Sequence, residues 1–75
     1  MARRDLKYIH DFGDNLRILR KKRKISMSNL GSKCRPSMEL NSIYRIEKGK
    51  VDISICTLRA LANALEIHPT KLLDF

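Results

Sequence analysis

Polar side chains of the kind that contact nucleic acids are concentrated in the stretch SMELNSIYRIEKGK, residues 37–50. If the stretch is helical, at about 100° per residue, one side of the helix carries Asn41, Tyr44, Arg45 and Lys48. Their amide, phenol, guanidinium and ammonium groups suit base edges and phosphates in the major groove of DNA. The stretch therefore predicts a recognition helix over about residues 38–48.

The opposite side of this helix is apolar and predicts packing. Ile43, Ile46 and Glu47 fall within about a third of the circumference. Gly49 follows the last periodic residue, where a left-handed C-terminal cap favours a residue without Cβ. Leu40 lies near the edge of the packing face, so it is either a core residue or a DNA contact, and its position favours burial.

Two side chains of the polar face have groups that distinguish bases. The Asn41 amide can pair with adenine N6 and N7, and the Arg45 guanidinium with guanine O6 and N7. Each pairing contributes roughly 1 to 3 kcal/mol of discrimination against other bases. We expect these two residues to read sequence. Tyr44 has the reach for a phosphate or a thymine methyl group.

Phosphate contacts are predicted on either side of the polar face. Lys48 and Lys50 flank Gly49 and are expected to hold phosphates, which position the protein without reading sequence. Ser26 and Ser28 begin the preceding helix and offer hydroxyls and amides to a further phosphate.

Length and charge limit the classes of protein to which this chain can belong. The 75 residues allow one domain with one small core. Sixteen Lys and Arg against eight Asp and Glu give a net charge of +8, which favours a polyanionic partner. Without a run of 18 apolar residues or an apolar N-terminal segment, we expect no spanning helix, no signal peptide and a cytoplasmic protein.

Membrane binding and catalysis are both disfavoured. The apolar stripe of the first predicted helix is narrow enough to be used by an intramolecular core rather than a lipid surface. No nucleophile stands beside a base, and no carboxylate pair suggests a cleft, so we predict no enzyme and no catalytic residues.

The cysteines and histidines do not suggest a metal. Cys34 and Cys56 could form a disulfide, but the absence of a secretory signal favours free core thiols. His10 and His68 have no close spacing to either cysteine. We therefore predict neither a metal nor a cofactor.

Apolar periodicity divides the chain into helices. Phe12, Leu16 and Leu19 follow the acceptable N-cap Asp11, which predicts a first helix. Residues 1–10, with Arg3 and Arg4, are either a basic arm or a helix extension, and a solvated tail is favoured.

Later helices have clearer start and stop signals. Ser26 can cap a second helix, which Arg35-Pro36-Ser37 ends because proline disfavours helix at the residue before it. After the recognition helix, Ser54 can cap a fourth, and Pro69 suits the first position of a short fifth. No strand-like alternation competes, so the fold is predicted to be all-α.

Four segments carry a family resemblance: FGDNLRILRKKRKIS, LGSKC, IYRIEKGK and TLRALANALEIHPTKLLDF. They resemble the compact five-helix DNA-binding domain of the phage repressor and Cro family, the lambda repressor-like helix-turn-helix regulators. The resemblance implies a domain over residues 11–75 that binds double-stranded DNA and regulates transcription. The small size is similar to stand-alone regulators, including restriction-modification controller proteins. An antitoxin that uses the same fold to hold a toxin is the alternative.

Three features depart from the family pattern. The turn before the recognition helix is about two residues longer than in the usual family pattern. Ser37 and Glu39 are therefore alternative N-caps of that helix. Lys24 stands where glycine is frequent, and a left-handed conformation there costs a non-glycine residue about 1 kcal/mol. Met27 replaces a glutamine that often contacts phosphate.

The resemblance also implies an ion pair. Glu47 shares the packing face with Ile43 and Ile46, and a buried carboxylate requires a partner. In the family an arginine of the first helix supplies it, which here is Arg20.

A dimer is expected because one recognition helix reads too few base pairs for useful specificity. The bulky apolar groups of the last eleven residues exceed what a small core covers, and they predict an interface made by Leu65, Ile67, Leu72, Leu73 and Phe75. In the alternative, Leu72 and Leu73 only close the monomer core. A two-fold dimer predicts a near-palindromic operator with half-sites about 34 Å apart.

Overall fold

A computed structural model describes residues 5–75, which form five α-helices and no strand. The helices are α1 (Leu6–Lys22), α2 (Met27–Lys33), α3 (Leu40–Glu47), α4 (Ile55–Leu65) and α5 (Pro69–Leu72). The all-α prediction is confirmed. In the described part of the chain, no helix has the length and apolar character needed to cross a membrane.

Helix α1 begins earlier than the sequence predicted. The Asp5 side chain accepts a hydrogen bond from the Tyr8 amide and caps the helix, so Asp11 lies inside it. Lys7 Nζ lies 2.8 Å from Asp11 Oδ2, an i,i+4 pair that supports the added turn and raises the Lys7 pKa. Residues 6–10 therefore form an extension of the helix, which is one of the two alternatives for residues 1–10; Arg3 and Arg4 lie outside the described residues.

The turn after α1 has the left-handed residue that the sequence predicted. Lys24 has φ of 57°. Ser26 then caps α2, and its side chain accepts a hydrogen bond from the Asn29 amide at 3.0 Å. Both predictions are confirmed.

The long turn between α2 and α3 is tied to α2. The Arg35 guanidinium donates to the carbonyls of Ser32 and Cys34, and the Met38 amide donates to the Gly31 carbonyl at 2.9 Å. Glu39 is the N-cap residue of α3, although its side chain makes no capping hydrogen bond. The predicted recognition helix therefore begins at Leu40 rather than at residue 38.

The last two helices begin where predicted. The Ser54 side chain accepts a hydrogen bond from the Thr57 amide, and Pro69 opens α5. Helix α4 ends on Glu66, which has φ of 58°. Neither the sequence pattern nor the resemblance indicated that left-handed residue.

One core joins the helices. Its buried residues are Phe12, Leu16, Leu30, Cys34, Ile43, Ile46, Leu61, Ala62, Ala64, Leu65 and Leu72. Two glycines allow close backbone contacts: a Cβ at Gly13 would overlap the Ile46 carbonyl oxygen of α3, and one at Gly31 would overlap the Met38 carbonyl oxygen in the turn before α3. These contacts fix the position of α3 against α1 and α2.

The cysteines have different environments. Cys34 is buried in the core, and this burial raises the pKa of its thiol. Cys56 is exposed in the first turn of α4. Both thiols are free, but the prediction that Cys56 lies in the core is wrong.

Candidate DNA-binding surface

Helix α3 has two chemically different faces. Ile43, Ile46 and Glu47 are buried, with relative exposures of 0%, 3% and 4%. The polar face is exposed along its whole length and consists of Asn41, Tyr44, Arg45 and Lys48. The helix therefore presents to solvent the amide and guanidinium groups that suit base edges.

Two residues of the polar face contact each other. Lys48 Nζ lies 5.6 Å from the centre of the Tyr44 ring, one helical turn away. This distance is within the range of a cation–π interaction. The pair places a positive charge beside an aromatic ring near the C-terminal end of α3.

Leu40 lies outside the core, contrary to the favoured expectation. It is 50% exposed at the first position of α3. Because the long turn delays the start of the helix, Met38 packs against the core instead and Leu40 projects from the first turn. An exposed leucine at this end of the polar face suits contact with a thymine methyl group.

The inward face of α3 is held by a buried ion pair. Arg20 Nε donates to Glu47 Oε2 at 2.6 Å, and Arg20 Nη2 donates to Glu47 Oε1 at 3.0 Å. Arg20 Nη1 also donates to the Ile25 carbonyl at 3.0 Å. One guanidinium thus joins α1, the turn before α2 and α3, and the predicted pair is present.

The residues predicted to hold phosphates are exposed at two places. Ser26 and Ser28 lie at the start of α2, and Lys48 and Lys50 follow the polar face of α3. The Ser26 oxygen accepts the capping hydrogen bond, which leaves its hydroxyl proton available to another acceptor.

Gly49 fixes the path of the chain between the two lysines. Its φ is 71°, and a Cβ there would lie 2.8 Å from the His10 Cα. Both the left-handed conformation and the contact with α1 require glycine. The start of α1 therefore determines where Lys48 and Lys50 stand.

The predicted dimer interface needs correction. Leu65 and Leu72 are 1% and 0% exposed and fill the core between α4, α5 and α1, so neither has surface for a partner. Ile67 is partly buried against the same core. Leu73 and Phe75 remain exposed, at 43% and 49%.

Two residues that the sequence analysis missed lie beside these. Tyr8 and Ile55 are 48% and 81% exposed. The Tyr8 and Phe75 ring centres lie 5.0 Å apart, and Tyr8, Ile55 and Leu73 line one cleft of about 170 Å³. We call Tyr8, Ile55, Leu73 and Phe75 the C-terminal apolar patch. Ile55 is in phase with Leu58, which is partly buried against the core, so periodicity alone would have assigned Ile55 to the packing face.

Asn15 was also missed, and it holds the patch in place. Its side-chain amide donates to the carbonyls of Lys71 and Leu72, at 2.9 and 3.0 Å. These carbonyls lie at the end of α5, where the helix supplies few amides to them; the Lys71 carbonyl also accepts a long hydrogen bond from the Asp74 amide, at 3.4 Å. A polar residue in the middle of α1 thus attaches the C-terminal residues to the rest of the domain.

Three groups of metal-ligand type share the exposed side of α1. Ligand atoms of His10, Asp11 and Asp14 lie within 4.8 Å of one another. Asp11 already pairs with Lys7, and Asp14 lies 3.4 Å from an Arg17 nitrogen. We interpret the group as a set of surface ion pairs.

Comparison with known proteins agrees with this geometry. The helix-turn-helix family profile matches residues 16–72. Among solved structures, the chain is similar to the restriction-modification controller protein C.AhdI from Aeromonas hydrophila. The two share 27% sequence identity with a TM-score of 0.85, over 92% of this chain and 99% of that one. No curated protein matches the sequence.

Proposed function

Because the chain belongs to the helix-turn-helix family of DNA-binding transcriptional regulators, we propose that it binds a near-palindromic operator as a homodimer. In each subunit α3 enters the major groove. Asn41 and Arg45 read base edges there, and Tyr44 and Leu40 make further contacts with bases or the adjoining backbone. The protein acts by occupying DNA and carries out no reaction.

The observation that carries this proposal is the division of α3 into two faces. Its buried side is fixed by Ile43, Ile46 and the Arg20–Glu47 pair, so the helix cannot rotate without breaking a buried ion pair. Its exposed side offers an amide and a guanidinium one turn apart, at Asn41 and Arg45. Such a rigidly held polar face is what direct readout of a base sequence requires.

Phosphate contacts surround the readout residues. Ser26 and Ser28 approach the backbone from the start of α2, and Lys48 and Lys50 from the end of α3. Contacts at two separate places fix the register of α3 in the groove. Their charge makes the affinity fall as the salt concentration rises.

The C-terminal apolar patch supports the proposed dimer. It contains four large apolar side chains, each at least 43% exposed; three of them line one cleft, and Phe75 lies against the Tyr8 ring. A two-fold axis would bring the same surface together from both chains, which covers the apolar groups of each. Leu73 and Phe75 keep the roles predicted for them, and Tyr8 and Ile55 join them.

A role as a restriction-modification controller is the most specific function that the likeness supports. C.AhdI is described as such a controller, and it matches this chain over nearly the full length of both. We propose that this chain likewise controls neighbouring genes.

Selection of binding sites from random duplex DNA tests the proposal. We expect enrichment of a near-palindrome whose half-sites are centred about 34 Å apart, which is one helical turn. Recovery of no sequence would contradict DNA readout. If a toxin encoded beside the gene bound tightly to this chain and no DNA was enriched, the antitoxin alternative would replace the proposed function.

A further inference from the structure

Lys24 has a backbone conformation that is unfavourable for a residue with a side chain. Its φ of 57° lies in the left-handed region, where the Cβ of an L-residue is crowded. Glycine would adopt this conformation without that strain. Among residues 5–75, only Lys24 and Glu66 are non-glycine residues with positive φ. Lysine at this position is thus unfavourable for the fold.

The charge of Lys24 makes no ion pair within residues 5–75. In the same run of five cations, Arg20 is buried against Glu47, and Arg23 donates to the Glu66 carbonyl. Lys24 is exposed, and no acidic side chain of the described residues lies within ion-pair distance of it. Its ammonium group is therefore available to an external anion.

Lys24 is also linked to the recognition helix through a short series of hydrogen bonds. The next residue, Ile25, receives a hydrogen bond from Arg20 through its carbonyl, and the same guanidinium holds Glu47 of α3. The Ile25 amide donates in turn to the Arg20 carbonyl. The position of this turn relative to α3 is therefore fixed.

From the strain, the free charge and this link, we propose that Lys24 binds a DNA phosphate and helps to set the register of α3 in the groove. This inference rests on the proposed function. It assigns to the strained residue a positioning role, in which the cation adds affinity for any DNA and reads no sequence. The unfavourable conformation is retained because glycine would remove the phosphate contact.

The substitution Lys24→Gly should raise stability and lower DNA affinity, so it separates the backbone strain from the phosphate contact. It should raise the melting temperature, since the left-handed strain is removed. It should also weaken binding to the selected operator and to a random duplex of equal length by a similar factor, roughly three- to tenfold. The slope of log K against log salt should become shallower by about 0.9 for each bound chain.

Three further variants serve as controls. Glu66→Gly relieves the same strain at the end of α4 and should raise the melting temperature without weakening DNA binding. Lys71→Gln removes one positive charge from α5 and should change the salt slope less than Lys24→Gly does. Lys24→Arg keeps the charge and should keep most of the affinity.

Two results would overturn the inference. One is operator binding by Lys24→Gly with unchanged affinity and salt slope. The other is an equal loss in Lys24→Gly and Lys71→Gln, which would indicate a general effect of net charge. If the wild type selected no operator, the proposed function itself would fail. If the wild type selected an operator and either of these two results was obtained, only the role of Lys24 would be refuted.

Discussion

Arg20 and Glu47, 27 positions apart, form a buried ion pair in which two guanidinium nitrogens each donate to a separate carboxylate oxygen. Both residues are less than 10% exposed. The pair fixes which side of α3 faces inward and so which side faces solvent. The buried charges therefore determine the orientation of the candidate DNA-binding surface.

Breaking this pair should cost much of the stability of so small a domain. We expect Glu47→Ala to lower the free energy of unfolding by about 3 to 5 kcal/mol, because it leaves a buried guanidinium without its partner. Urea denaturation followed by circular dichroism measures this. The control is Asp14→Ala, which removes an exposed partner of Arg17 and should cost about 0 to 1 kcal/mol. Equal losses in both variants would contradict the buried pairing.

Because Gly31 lies close to the turn before α3, we predict that replacing it with alanine destabilises the protein, although the same change usually stabilises a helix. Alanine normally stabilises a helix interior by roughly 0.5 to 1 kcal/mol relative to glycine. At Gly31 the new methyl group would overlap the Met38 carbonyl oxygen, so Gly31→Ala should destabilise by roughly 1 to 3 kcal/mol. Asn63→Ala, at an exposed position of α4, is the control. A gain in stability at Gly31 would show that the turn does not lie against α2.

The two cysteines should differ strongly in reactivity. Thiolate is the reactive form, and burial both shields Cys34 and raises its pKa. Alkylation followed by mass spectrometry should modify Cys56 rapidly and Cys34 only through unfolding. In Cys56→Ser the native protein should remain unmodified.

The raised pKa of Cys34 also predicts a pH dependence of stability. Because the folded state holds the Cys34 proton more tightly than the unfolded state does, the free energy of unfolding should fall as the pH rises above the ordinary thiol pKa.

The sequence predicted the elements whose signals are local. Ser26, Ser54 and Pro69 begin helices because a capping hydroxyl or a fixed φ acts within one turn. Periodicity likewise identified the two faces of α3. The family resemblance supplied Arg20 as the partner of Glu47, which no local pattern indicates.

Most of the missed features depend on distant contacts. The N-cap of α1 is the exception, because Asp5 and Asp11 are both acceptable caps and the local pattern does not distinguish between them. The burial of Leu72 and the exposure of Leu73 depend on how α5 packs, and periodicity over a four-residue helix is too short to separate them. Leu40 was misassigned because the long turn moved the start of α3.

Dimer formation should depend on Leu73 and not on a similarly exposed apolar residue elsewhere on the surface. Sedimentation at micromolar concentration should show a dimer for the wild type and a monomer for Leu73→Glu, because a charge would be buried in the apolar patch. Leu73→Glu should remain folded, since Leu73 is 43% exposed. Ile18→Glu replaces a similarly exposed residue of α1 and should leave the dimer intact. A wild-type monomer that binds single half-sites without cooperativity would rule out the dimer.

The central claim is that the polar face of α3 reads base sequence while the lysines after it hold phosphates. Binding of Asn41→Ala, Arg45→Ala and Lys50→Ala should be measured on the selected operator, on its single-base variants and on random duplex. The first two substitutions should relax preference at particular base pairs, by roughly 1 to 3 kcal/mol each. Lys50→Ala should weaken binding to all duplexes alike and lower the salt slope by about one per half-site. Equal losses on operator and random DNA for all three variants would show that α3 is not the helix that reads sequence.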